Sequence, residues 1–162
     1  MDKYKLKQVN VRLRLCQAKP LYSPEPVSTP DQAVELMALS MRDLDREHCM
    51  VLNLDSGNRP INFHIVSIGD VNQAQVPMQN IFKSALLSNA AYIIVMHNHI
   101  GGSLKPSAED IRVTRRMVTA GRIMNIPIID HIIIAGDSPD RCVSLRQCMP
   151  ELWEKDSTPC AH

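Results

Sequence analysis

A chain of 162 residues, 44% hydrophobic and 22% charged, has the composition of a folded domain with one hydrophobic core. Its formal net charge of +1 excludes the strong overall field of proteins that bind nucleic acid or anionic lipid through charge alone. No apolar run approaches the roughly 20 residues that span a bilayer. The first residues also lack the apolar core of a secretory signal, and five cysteines without a C-x-x-C pair indicate reduced thiols. We therefore expect a cytoplasmic protein.

The first predicted elements are a strand and a helix. Apolar and polar residues alternate over 9–15, which predicts a strand with one buried face. Three prolines between residues 20 and 26 indicate an extended linker. The segment Ser28–Asp31 combines a capping hydroxyl, a proline and an acidic residue, as helix N-termini do, so a helix is predicted from there to about Leu44.

The middle of the chain alternates strands with helices. Strand-like runs at 50–54 and 61–66 flank the turn residues Asp55–Asn58 and predict a β-hairpin. A helix is predicted over 77–90. The unbroken apolar run at 92–96 predicts a strand that is covered on both faces.

The C-terminal half begins with a helix predicted from about Ser107 to about Asn125. Four apolar residues of this helix are expected to face the core: Ile111, Met117, Val118 and Ile123. A buried strand is predicted over 128–134 and a short one over 142–145. We expect the tail from Pro150 onward to be loosely ordered.

This order of strands and helices predicts the α/β class, as a three-layer α/β/α sandwich around a mixed sheet. Three regions are expected along the chain. Residues 1–27 hold the N-terminal strand and proline-rich linker, residues 28–149 form the folded domain, and residues 150–162 form a C-terminal tail.

The stretch from His97 to Asp110 carries a candidate metal site. His97 and His99 directly follow the buried strand, and side chains two apart on an extended chain project to one side, with Cα atoms roughly 6–7 Å apart. Asp110 lies in the first turn of the next helix, where the helix dipole favours an ionised carboxylate. Three such ligands leave the fourth tetrahedral position of zinc open for water, as in catalytic rather than structural sites.

Each part of this pattern also has a structural explanation. An H-x-H pair alone is most often a pair of surface or core histidines, and Ser107 with Asp110 forms the S-x-x-D pattern of a helix capping box. Their occurrence together at one strand–turn–helix transition favours the metal site. Of the other histidines, His48 and His64 are interpreted as core or surface residues, and His131 as either structural or supporting the site.

The spacing H-x-H, seven residues, S-x-x-D resembles that of the JAMM (MPN+) metalloproteases. The segments His97–His99, Pro106–Ile111 and Asp130–Ile134 resemble those of the RadC branch, over roughly residues 28–147. The resemblance implies that residues 28–149 are a RadC-like JAMM metalloprotease domain with a cytidine-deaminase-like JAMM/MPN fold. One departure is Ile100, because family members usually carry proline directly after the second histidine; this leaves the rigidity of the loop open.

The resemblance also implies the role of each residue in the site. His97, His99 and Asp110 correspond to the zinc ligands, and Ser107 to the serine that stabilises the oxyanion. Glu47, just before the first hairpin strand, corresponds to the general acid–base of the family. Zn²⁺ is the implied cofactor.

Three functions follow as competing hypotheses. The first is a zinc-dependent hydrolase, a metallopeptidase of the JAMM (MPN+) type that cleaves a peptide or isopeptide bond in a protein or peptide substrate. The alternative is a RadC-type DNA repair accessory or nucleic-acid-associated module without protease activity. The near-neutral charge argues against it, and so does the low number of aromatic residues, which is six (one Trp, three Tyr, two Phe). The third is a binding module that keeps the fold without the chemistry. No membrane partner is expected, and a homodimer is left open.

Overall fold

The computed structural model describes residues 25–41, 44–69 and 76–154. The strand predicted over 9–15 lies outside these residues. In chain order the elements are α1 (Pro30–Met41), β1 (His48–Leu54), β2 (Pro60–Ile68), α2 (Met78–Leu87), β3 (Tyr92–His99), α3 (Ala108–Ile123), β4 (Ile128–Ala135), β5 (Ser138–Ser144), α4 (Leu145–Cys148) and a 3₁₀ turn (Pro150–Trp153). Among the described residues, no helix combines the length and apolar character that a membrane span requires.

The five strands form one mixed sheet in the order β2-β1-β3-β4-β5. The pairs β1–β2, β1–β3 and β4–β5 are antiparallel, whereas β3 and β4 run parallel. A parallel pair needs a crossover connection, and α3 supplies it. The predicted α/β class with a mixed sheet is therefore confirmed.

Alternation along the strands assigns each face of the sheet to a helix layer. Met50 and Leu52 of β1 pack in one core cluster with α1, whereas Cys49 and Val51 pack in a second cluster with α2 and α3. Val95 of β3 belongs to the second cluster. Because strand side chains alternate, the odd-numbered residues at the end of β3 face the α3 layer as well.

Helix α3 has a buried stripe that differs from the predicted one at its C-terminal end. The stripe follows i, i+3 and i+4 spacing and consists of Asp110, Val113, Thr114, Met117, Val118 and Gly121. The prediction that Ile123 faces the core is wrong, since 79% of this residue is exposed. It lies two residues beyond the stripe, about 200° around the helix from Gly121.

The segment after Pro150 is also more ordered than its sequence suggested. Pro150–Trp153 forms a 3₁₀ turn in which Leu152 is buried against Ile133 and Leu145. The indole Nε1 of Trp153 donates a hydrogen bond of 2.7 Å to the carbonyl oxygen of Ile128. The two large apolar side chains therefore hold this part of the expected loose tail against the sheet.

Candidate metal centre

Three side chains meet where β3 ends and α3 begins. The Nε2 atoms of His97 and His99 lie 2.9 Å apart. His97 Nε2 lies 3.1 Å from Asp110 Oδ1, and His99 Nε2 lies 3.5 Å from Asp110 Oδ2. His97 and Asp110 are buried, whereas His99 is partly exposed. The structure thus brings the three residues of the predicted ligand set together, with His99 at the accessible side.

A backbone contact fixes the proton position on His99. The Nδ1 atom of His99 lies 2.8 Å from the carbonyl oxygen of Ser103, which can only accept, so Nδ1 carries a proton and donates it. In the neutral ring Nε2 is then unprotonated. Its lone pair faces His97 and Asp110.

A buried chain of contacts fixes the proton on His97 in the same way. The Thr114 hydroxyl donates to the Asp110 carbonyl oxygen at 2.6 Å, and it therefore accepts from His131 Nδ1, also at 2.6 Å. In the neutral His131 ring, Nε2 is then an acceptor for His97 Nδ1 at 2.8 Å. His97 Nε2 is left with a lone pair that faces the cluster.

The donor set fits a metal ion. Two unprotonated nitrogens and a carboxylate at these distances repel one another unless a positive charge lies among them. In the metal-free chain a proton can supply that charge: the hydrogen bond to Asp110 and, more weakly, the carboxylate of Glu47 raise the pKa of His99. Two imidazole nitrogens and one carboxylate oxygen are also a ligand set of catalytic zinc sites. His97, His99 and Asp110 could therefore hold a metal ion.

Burial and the neighbouring rings set the charges around the cluster. Burial opposes ionisation of Asp110, but the hydrogen bonds that His97 and His99 donate when Nε2 is protonated outweigh it and hold the pKa of Asp110 well below the usual range. Burial, reinforced by His97, lowers the pKa of His131 to about 3, so this ring is neutral. Burial and then the charge of Asp110 raise the pKa of the Cys49 thiol to about 12, which keeps it protonated.

The capping box that the sequence suggested is present as well. The Ser107 backbone N–H and hydroxyl donate to Asp110 Oδ2 at 2.7 and 2.6 Å, and the Asp110 N–H donates to Ser107 Oγ at 3.1 Å. The other carboxylate oxygen, Oδ1, is the one nearer His97. Capping and cluster formation are therefore compatible, because each carboxylate oxygen of Asp110 has its own main partner.

The β1–β3 pairing brings Glu47 to the accessible side of the cluster. Cys49 is opposite His97 in this antiparallel pair, and continuing the register by two residues places Glu47 opposite His99. The Asn98 amide holds the backbone on both sides of Glu47. Its Oδ1 accepts from His48 N–H at 2.7 Å and its Nδ2 donates to the Arg46 carbonyl at 3.2 Å.

Comparison with known proteins gives the family. Residues 27–150 match the sequence model of the family described as RadC-like JAB domain. The chain belongs to this family. A UPF0758 protein of Chloroflexus aurantiacus is 42% identical over 122 residues, which cover 75% of this chain and 52% of that protein. A UPF0758 protein of Methanosarcina mazei is 38% identical over 149 residues, which cover 90% and 64%. The chain thus spans between half and two thirds of the length of these curated relatives.

Ile100, the departure from the usual family pattern of RadC-like JAB domains, lies in a loop that hydrogen bonds hold in place. The carbonyl oxygen of His99 accepts from the Gly102 N–H at 3.0 Å and from the Gly136 N–H at 2.9 Å. A Cβ at Gly136 would lie 2.9 Å from this oxygen, so the close approach requires glycine. These contacts fix the end of β3 without a proline after it, and Ile100 itself is 48% exposed.

Sequence reasoning left His131 open and did not single out Thr114 or Asn98 in this RadC-like JAB domain. The signal for His131 is that Asp130 and His131 interrupt an otherwise apolar strand, since buried polar groups need partners. Asp130 finds them in the His131 and Arg146 N–H groups and the hydroxyl of Ser144. His48 and His64 are not part of the cluster, as the sequence interpretation expected.

Proposed function

We propose that this chain is a zinc-dependent hydrolase of the JAMM type, which cleaves a peptide or isopeptide bond in a protein or peptide substrate with activated water. The observation that carries the proposal is the convergence of two imidazole Nε2 atoms and one carboxylate, all potential ligand atoms lying within 4.8 Å of one another. Membership of the RadC-like JAB domain family supports it.

Each residue of the site has a role in this proposal. His97, His99 and Asp110 would hold the zinc ion, which supplies Lewis-acid activation of a water molecule and of the substrate carbonyl. Glu47 accepts a proton from the attacking water and passes it to the leaving amine. The exposed Ser107 hydroxyl, which donates to Asp110 Oδ2 in this structure, would turn its one proton toward the oxygen that becomes negatively charged.

The metal site is tested by counting zinc in the purified chain with mass spectrometry. We expect about one zinc per chain, consistent with one three-ligand site, and its loss after His99→Ala or Asp110→Asn. His64→Ala is the matched control, because His64 is a partly exposed histidine on β2 outside the cluster. Full zinc content in the Asp110→Asn protein would overturn the assignment.

Hydrolysis is tested with two probes, a fluorogenic peptide library and peptides joined through a lysine isopeptide bond. Glu47→Gln should keep its zinc and lose activity by roughly 10²–10⁴-fold, the usual contribution of a general base. Glu35→Gln, an exposed carboxylate on α1, is the control. A zinc-loaded chain that hydrolyses neither probe would instead favour a binding module with this fold.

A further inference from the structure

We infer that Thr114 and His131 are positioning residues, which hold His97 in the tautomer and orientation that place the Nε2 lone pair in the metal site. This inference rests on the proposed function, since it concerns the same cluster. Neither residue touches the cluster's centre directly. Both act through His97 Nδ1, which lies 2.8 Å from His131 Nε2.

The contacts form a closed circuit of side chains and one carbonyl. The Asp110 carbonyl oxygen accepts from Thr114, Thr114 accepts from His131, and His131 accepts from His97. The ring of His97 then returns to Asp110, whose Oδ1 lies 3.1 Å from His97 Nε2. One residue, Asp110, thus terminates the circuit with its backbone and contributes its carboxylate to the cluster.

The direction of every hydrogen bond in the circuit follows from its first member. A carbonyl oxygen has no proton to donate, so the Thr114 hydroxyl must donate to it and accept from His131. A neutral imidazole carries one proton, so donation at His131 Nδ1 leaves Nε2 as the acceptor for His97. The result is one allowed tautomer for each ring.

Burial makes this arrangement costly to alter. His131 is 3% exposed and Thr114 is fully buried, so water cannot replace a missing partner. The three side chains also lie on different elements, with His97 on β3, His131 on β4 and Thr114 on α3. The parallel register pairs Val95, two residues before His97, with His131, which sets both imidazoles on the α3 side of the sheet.

The consequence is a measurable contribution to metal affinity. Partners that orient a metal-ligating histidine through its second nitrogen typically change metal affinity by 10–100-fold when they are removed. We expect the zinc dissociation constant to rise by roughly that factor, 10–100-fold, after Thr114→Val, which keeps the side-chain shape but removes the hydroxyl. Thr114→Ser restores the hydroxyl and should restore most of the affinity.

The experiment combines zinc affinity with a spectroscopic measurement on the metal-free chain. Affinity is measured by competition with a chromophoric chelator for wild type, Thr114→Val, Thr114→Ser, His131→Phe and His131→Gln. The tautomer of His97 is read from ¹⁵N chemical shifts of the imidazole in chelator-treated protein. We expect Nδ1-protonated His97 in wild type and Thr114→Ser, and mixed tautomers with weaker zinc binding in Thr114→Val and His131→Phe. His131→Gln, whose amide can accept from His97 and donate to Thr114, should recover part of both.

The outcomes separate this inference from the proposed function. If wild type binds one zinc and Thr114→Val and His131→Phe bind it equally well with an unchanged tautomer, the positioning role is refuted while the metal site stands. If wild type binds no zinc, the proposed function fails, and the tautomer still decides the positioning role: the same His97 tautomer in wild type and Thr114→Val contradicts it. Circular dichroism identifies any variant that does not fold, and the near-isosteric Thr114→Val remains decisive if His131→Phe is lost.

Discussion

Replacing Asn98 by alanine should destabilise the chain without abolishing zinc binding at the proposed site. Asn98 is 1% exposed, lies between the two histidines, and bonds the backbone on either side of Glu47. After Asn98→Ala, the Arg46 carbonyl keeps the His48 ring nitrogen as a partner at 2.9 Å. The buried His48 N–H, in contrast, loses its acceptor.

The expected size of this effect follows from these contacts. An orphaned buried donor costs about 1–3 kcal/mol, and a lost hydrogen bond with a surviving alternative partner about 0.5–1.5 kcal/mol. Together they lower the free energy of unfolding by about 1.5–4.5 kcal/mol. At about 2–4 °C per kcal/mol for a chain of this size, the melting temperature should fall by about 3–18 °C.

Thermal and urea unfolding of the metal-free chain measure this effect, and mass spectrometry measures the zinc content. Asn80→Ala is the control, because the side-chain hydrogen bond of Asn80 in the described part of the chain is with the exposed Lys83. It should change stability by no more than about 0.5 kcal/mol. A melting temperature for Asn98→Ala equal to that of Asn80→Ala would refute the reasoning. Loss of zinc at full folding would show that Asn98 supports the ligands rather than the backbone at the start of β1.

Three further predictions concern metal, pH and packing. Zinc at 100 times its dissociation constant should stabilise the chain by about 2.7 kcal/mol and raise the melting temperature by about 5–11 °C, with no shift in Asp110→Asn; an equal shift in both would contradict the site. When a chelator removes metal, the pKa of His99 is higher in the folded chain than its ordinary value of about 6.5. The protonated ring therefore contributes its full stabilisation below about pH 6.5, and this contribution disappears as pH rises through the folded pKa. Wild type should therefore lose stability relative to His99→Gln as pH rises above about 6.5 in urea titrations. Gly121→Ala should destabilise the chain by about 1–3 kcal/mol, because the new Cβ would lie 2.7 Å from the Ile126 carbonyl oxygen. The better helix propensity of alanine offsets up to about 1 kcal/mol of this cost. Gly101→Ala meets nothing within 4 Å and should be neutral when unfolding is measured by circular dichroism.

The parts of the site that are close in sequence could be predicted from it. His97 and His99 are two residues apart, and an extended chain puts them on one side whatever the rest of the fold does. Ser107 and Asp110 are three apart, and a helix N-terminus brings such a pair together as a capping box. The strand β3 simply extends further than predicted, to His99, so that both histidines are part of the sheet.

The predictions for one face of α3 and for the segment from Pro150 onward were partly wrong. Ile123 fits a helical spacing but lies off the buried stripe, because only the packing of α3 on the sheet decides which side is covered. Leu152 and Trp153 follow a proline and have no periodic pattern around them. Their burial against β4 depends on a surface that residues far away in sequence create.

The sequence by itself determined the α/β class, the order of the elements and the local chemistry of the H-x-H and S-x-x-D segments, because each depends on contacts over a few residues. Tertiary structure alone decided which distant groups surround them. The antiparallel β1–β3 pair sets Glu47 opposite His99, and the parallel β3–β4 pair sets His131 behind His97. Strand register is fixed by packing of the whole sheet against its helices, so no local pattern around these residues specifies their partners.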